Sequence, residues 1–151
     1  DWSAPFIEAA FPDVIDLVGT DTSIADHRVG FAPQTITADV LTADLQAVLG
    51  GSMTATIEFP HDPANMVWND HWTVAAGAGA MTTVHVQGDA QVCQNARCMN
   101  ASNTPQVDAP LLATWKSPAG GTVIFTSFHN ERQSALNQDM ERILRFLVFQ
   151  L

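Results

Sequence analysis

The stretch that most limits what this chain can become is GTVIFTSFHNERQ, residues 121–133. Its segment Thr122–Thr126 contains only β-branched and aromatic residues, and it follows Pro118 and the Gly120-Gly121 pair. Such side chains crowd a helix at χ1 but pack well on a pleated surface, so the segment predicts a strand. Apolar residues in consecutive positions imply burial on both faces, the habit of parallel sheets covered by helices. The apolar run stops at His129, Asn130 and Glu131. In open α/β sheets, ligands and chemistry gather just beyond the carboxyl ends of strands. His129 and Glu131 are therefore the first functional candidates.

The flanking sequence supplies the rest of a mixed α/β domain. The run APLLATWK, ahead of the Pro/Gly turn, predicts a second strand paired with the first. Residues 35–40 alternate like a strand, and residues 42–49 place Leu45, Val48 and Leu49 on one helical face before a Gly50-Gly51 stop. MTATIEF, HWTVAA and MTTVHVQGD read as further strands, the last two joined by a flexible GAGA at 77–80. His85 alternates with Val84 and Val86 and is expected on the polar face of its strand. Near the start, apolar residues at 3–4 spacing predict a short helix to about residue 10, where Pro12 interrupts the pattern. Residues 137–151 predict a last helix, capped by Asn137, with Asp139 and Glu141 at the positive end of the dipole. Its apolar residues surround so much of the axis that packing on two sides is expected. No repeat or linker divides the chain, so residues 1–151 are read as one domain.

The balance of charge narrows the partners. Asp and Glu number 16 against 6 Lys and Arg, a net charge of −10. A chain so acidic is a poor ligand for phosphate backbones or anionic membrane surfaces. No apolar run approaches the ~18 residues of a membrane span, so neither nucleic acid binding nor membrane insertion is expected.

At this point the strand, the His-x-Glu and the terminal helix together resemble the class I glutamine amidotransferase-like superfamily, whose C-terminal part carries an FHPE type of motif. Here it reads Phe128, His129, Asn130, Glu131. The stretch APLLATWKSPAGGTVIFTSFHN resembles the trehalose-utilisation-like branch. The resemblance implies a flavodoxin-like sheet with flanking helices, with His129 as the base and Glu131 as the acid that orients it. The sequence departs from the family at the nucleophile: no G-x-C-x-G elbow occurs, and the strands that precede the elbow in the family are absent before Asp1. Asn130 also stands where the family has proline. The expectation is a domain that has lost catalysis and serves in binding or assembly, with no cofactor, with His129 and Glu131 vestigial. Its partner would be an upstream fragment of the same precursor or further copies of the chain. A start without Met fits proteolytic processing. The alternative within the resemblance is a hydrolase using His129 and Glu131 with a nucleophile from near Asp1, such as Ser3, from Ser127, or from another chain.

Two further clusters invite chemistry. His61, Asp62, Asp70 and His71 are four potential ligands within eleven residues. They mix the preferences of hard cations and zinc and match no established spacing, so no metal is expected. Trp68, Asp70 and Trp72 could instead stack on and hydrogen-bond a sugar, the pattern of a carbohydrate-binding module, although paired tryptophans also anchor cores.

Cys93 and Cys98 are the only cysteines and lie in a polar stretch, QVCQNARCMN. A local disulfide closing a surface loop is the expected state, and a free, inert pair the alternative. The bond would place the protein in an oxidising compartment, secreted or periplasmic. Closing so short a loop stabilises by roughly 2 kcal/mol. Thiol titration under denaturing, non-reducing conditions should find no free thiol, and two would overturn both the bond and the compartment.

Overall fold

Strand-forming residues dominate the chain, and the computed structural model turns them into a sheet flanked by helices. It describes residues 4–19, 29–60, 72–94, 100–128 and 137–149. β3 (Gln34–Val40) and β4 (Thr54–Phe59) pair antiparallel, from Gln34 opposite Phe59 to Asp39 opposite Thr54. Between them α2 (Ala43–Val48) buries Leu45 and ends at Gly50 and Gly51. These two sit at φ +75° and +87°, left-handed values that a side chain would strain. β7 (Thr82–Ala90), β8 (Gln106–Lys116) and β9 (Thr122–Thr126) complete a five-stranded sheet in the order β4-β3-β7-β8-β9.

Every pair in this sheet is antiparallel. The mixed α/β class stands, but the pairing differs from the parallel order that a flavodoxin-like resemblance implies. The reading of Thr122–Thr126 as a strand buried on both faces is corrected too. The strand buried throughout is β8, at residues 109–115, whereas β9 lies at the sheet margin and buries only Phe125. A run of β-branched residues marks a good strand. It does not say whether the strand is central, because edge and central strands draw on the same β-branched and aromatic residues.

The core has two parts. The larger one gathers Ile36, Val40, Leu45, Ile57, Leu112 and Ile143, among others, between the sheet and the helices α2 and α3 (Gln138–Phe149). The smaller joins Trp115 and Phe125 to Ile15 and Leu17 of β1 (Ile15–Leu17) and Ala75 of β6 (Ala75–Ala78). Against it pack Ile7 of α1 (Ala4–Ala10) and Phe11, whose ring meets Trp115 edge-on with centroids 5.4 Å apart. β1 and β6 form their own antiparallel pair, with Ile15 opposite Ala78. The GAGA stretch is thus half strand, and a Cβ at Gly79 would fall 1.6 Å from the Asp13 carbonyl oxygen. A third small pair joins β2 (Val29–Gly30) to β5 (Trp72–Thr73).

α3 does more than cover the core. Asn137 caps it, its Oδ1 accepting from the Met140 amide at 3.0 Å. The same side chain donates from Nδ2 to the Thr56 carbonyl at 3.1 Å. Asp139 Oδ2 accepts from the Thr56 amide at 2.9 Å, and Met140 Sδ from the Glu58 amide at 3.4 Å. Thr56 and Glu58 are alternate residues of β4, and these backbone groups are the ones directed away from β3. The helix start thereby closes the sheet's β4 edge with side chains. Met140, Ile143 and Phe146 are buried beneath it, while Val148 and Phe149 are 65% and 80% exposed. The helix is packed on one face, not the two that its composition implied.

Removing the cap should show both roles. Asn137→Ala is expected to cost about 1–2 kcal/mol, the usual cost of losing a cap, with the Thr56 carbonyl bond lost as well. Asn137→Asp keeps the cap acceptor and loses only the donor, so its urea midpoint should fall between those of Ala and wild type. Equal loss in both variants would show that the cap contributes nothing.

Candidate functional site

Most residues singled out in the sequence lie outside the described residues: His129 and Glu131, Trp68 and Asp70, Cys98, and the candidate ligands His61, Asp62 and His71. The same holds for Asp1 and Ser3. The structure does describe the strand that delivers His129. β9 ends at Thr126, and Ser127 and Phe128 follow, both 2% exposed. Ser127 cannot serve as a nucleophile in this setting. Its amide donates to the Leu111 carbonyl at 3.0 Å and its hydroxyl to the Pro110 carbonyl at 3.3 Å, which anchors it to β8 out of reach of a substrate.

Trp72 is a core residue. It is 2% exposed and stacks on Phe59 with centroids 3.8 Å apart and rings inclined by 19°. Its Nε1 donates to the Phe31 carbonyl at 3.4 Å. A Cβ on Gly30, its partner across the β2–β5 pair, would lie 1.9 Å from the indole, so only glycine allows the ring to press on the backbone. An indole held in this way has no face to offer a sugar, and the expectation of Trp72 as a carbohydrate platform is corrected.

Cys93 is fully buried, its amide donating to the Val29 carbonyl at 2.7 Å. Residues 92–94 turn back on 100–102, with Gln94 bonded to the Asn100 carbonyl and Ser102 to that of Val92. Cys93 thus sits on one arm of this turn, opposite Ala101, and among the described residues no cysteine is a free thiol.

One polar group inside the core was missed. His85 is 5% exposed, with Nδ1 3.0 Å from Thr42 Oγ1 and Nε2 2.9 Å from Thr114 Oγ1. Its ring meets Phe146 of α3 edge-on at 5.5 Å. Alternation placed it on a polar face, but the register of β7 against β8 shifts between Val84 and Val86. A bulge there puts His85 and Val86 both inside, which strict alternation forbids. Thr42 is the N-cap residue of α2, yet its hydroxyl makes no cap bond and is instead paired with His85. A base flanked by hydroxyls has the outline of an activated nucleophile. With the ring buried and both its nitrogens engaged, this set acts as a strut joining α2, β7, β8 and α3.

A cleft of about 700 Å³ opens between α1, β1 and β6, lined by Glu8, Asp13 and Asp16 among others. Glu8 Oε1 already accepts from the Leu17 amide at 2.7 Å. Among the described residues, no group of three or more His, Cys, Asp or Glu is arranged to hold a metal, and no helix is long and apolar enough to cross a membrane. The chain matches no protein-family model, no curated protein and no solved structure.

Burial lowers the pKa of His85, and the nearby Asp44 carboxylate works weakly the other way. A neutral buried histidine binds its proton less readily than the unfolded chain does. Stability is therefore full above the unfolded pKa of about 6.5 and is lost as pH falls through and below it. His85→Gln should flatten that slope relative to wild type between neutral and mildly acidic pH, as read from urea midpoints. His85→Ala should cost about 2–4 kcal/mol, through the cavity and the two stranded hydroxyls. An unchanged pH slope in His85→Gln would show that the ring takes up a proton inside the fold.

Proposed function

We propose that this chain is a non-catalytic domain of an exported protein that works by binding or assembly, and that the outer edge of β9 receives the partner. The observation that carries this is the contrast between the two margins of the sheet. The β4 edge is closed by Asn137, Asp139 and Met140, whereas the described residues place nothing comparable on β9. A strand edge with free amides and carbonyls accepts an added strand through main-chain bonds. His85, Ser127 and Trp72 are occupied internally, which favours recognition by the backbone over chemistry at a pocket.

Export draws support from the absence of a free thiol among the described residues and from the acidic, lysine-poor composition. A Cys93–Cys98 bond remains part of this proposal. A glutamine amidotransferase-like ancestry would explain a His-x-Glu directly after β9, although the antiparallel sheet lends a flavodoxin-like order no support. No observation favours the hydrolase or the carbohydrate module. The partner is either a fragment of the same precursor or a second copy of the chain.

The edge can be probed directly with an extended synthetic peptide carrying the sequence of residues 122–126 between solubilising lysines. Saturable binding should shift the backbone amide signals of Thr122, Ile124 and Thr126 and leave those of Thr56 and Glu58 unmoved. No binding, or binding that maps elsewhere, would overturn the reading.

A further inference from the structure

The hydrogen-bond register of the last hairpin defines what the β9 edge offers. Ser127 donates to the Leu111 carbonyl and Ser117 to the Gly121 carbonyl. With Thr126 opposite Leu112 and Thr122 opposite Lys116, residues 123 and 125 bond to β8 and the alternate residues do not. The backbone groups of Thr122, Ile124 and Thr126 therefore point outward. The register runs through all five pairs without a bulge. The strand holds no proline and no charge, so the usual devices that blunt an edge are missing from it. Ile124, at its middle, is 43% exposed.

We infer that β9 is a homotypic pairing edge, through which two copies of this chain join antiparallel about Ile124. This rests on the reading of β9 as the partner-binding edge and names the partner. The strand is self-complementary. Ile124 set opposite its own copy brings Thr122 opposite Thr126, and all three outward positions then fall in register, completing about six backbone bonds. The result is an isologous two-fold contact and a continuous ten-stranded sheet, twice the five strands of one copy. Charge does not oppose pairing at this strip. Each copy carries −10, yet the strand itself is neutral, and beside it stands the chain's single lysine, Lys116, donating to the Thr122 hydroxyl at 2.6 Å. Repulsion between the two acidic bodies is long-ranged and screened by salt, so the pair should tighten as ionic strength rises. A five-residue contact is small, which places the dimer among weak, concentration-dependent ones.

Sedimentation equilibrium over a wide concentration range tests this. Wild type is expected to pass from monomer to dimer, at lower concentration in high salt. Ile124→Lys sets two lysines opposite each other at the dyad and should weaken association about tenfold or more. Thr126→Lys serves as a second variant should the first fail to fold, and far-ultraviolet circular dichroism checks both. A wild type that stays monomeric, or a dimer that both variants leave intact, overturns homotypic pairing. If the chain stays monomeric and still binds the β9 peptide at Ile124, only the second copy is rejected and the partner is a different chain. If neither occurs, the reading of the edge falls with it.

Discussion

The bonds between the start of α3 and the outer side of β4 are the constraint on which the rest of this structure depends. A five-stranded antiparallel sheet has two rows of unpaired backbone groups. On β4, Asn137, Asp139 and Met140 satisfy the Thr56 amide and carbonyl and the Glu58 amide. The same contacts decide where α3 lies, and so which of its faces is buried. Met140, Ile143 and Phe146 then close the larger core over β4 and α2. Phe146 in turn meets His85, which ties β7 to the cap of α2 and to β8. One helix start thus seals an edge, sets a core and completes a buried polar strut.

Among the described residues, the groups that look most chemical are spent on structure. His85 holds two threonine hydroxyls, Ser127 is anchored to β8, and Trp72 lies against Phe59 and Gly30. Burying a polar group is tolerable only when its hydrogen bonds are made, and here they are. Among the described residues, no side chain covers the outward backbone groups of β9 on the far side of the sheet in the way that α3 covers those of β4. The proposed strand addition draws on that difference, because it needs no reactive side chain.

Local structure was legible where the pattern was local. The helix stop at Gly50 and Gly51, the Asn137 cap, the strand at Thr54–Phe59 and the hairpin of β8 and β9 all follow from turn and cap chemistry with short-range periodicity. Strand order was not legible. A run such as Thr122–Thr126 is as apolar at an antiparallel margin as it would be inside a parallel sheet. β1 was hidden because Val14, Ile15 and Val18 also fit a helical spacing. The inward turn of His85 depends on a bulge set by the β7–β8 register, a long-range property that one strand does not encode. Of the candidate residues, Trp72 departs from its expected role through a glycine far away in sequence, and Ser127 through its bonds to β8. His129, Glu131, Trp68 and Asp70 lie outside the described residues.

α3 seals the β4 edge of the sheet, and the proposed role of β9 requires that its edge be open. Amide hydrogen exchange on dilute, monomeric protein measures this residue by residue. Slow exchange is expected at the outward amides of Thr56 and Glu58, which side chains of α3 cover, and fast exchange at those of Ile124 and Thr126. Comparable protection on both strands, or slow exchange on β9 with fast exchange on β4, would contradict it.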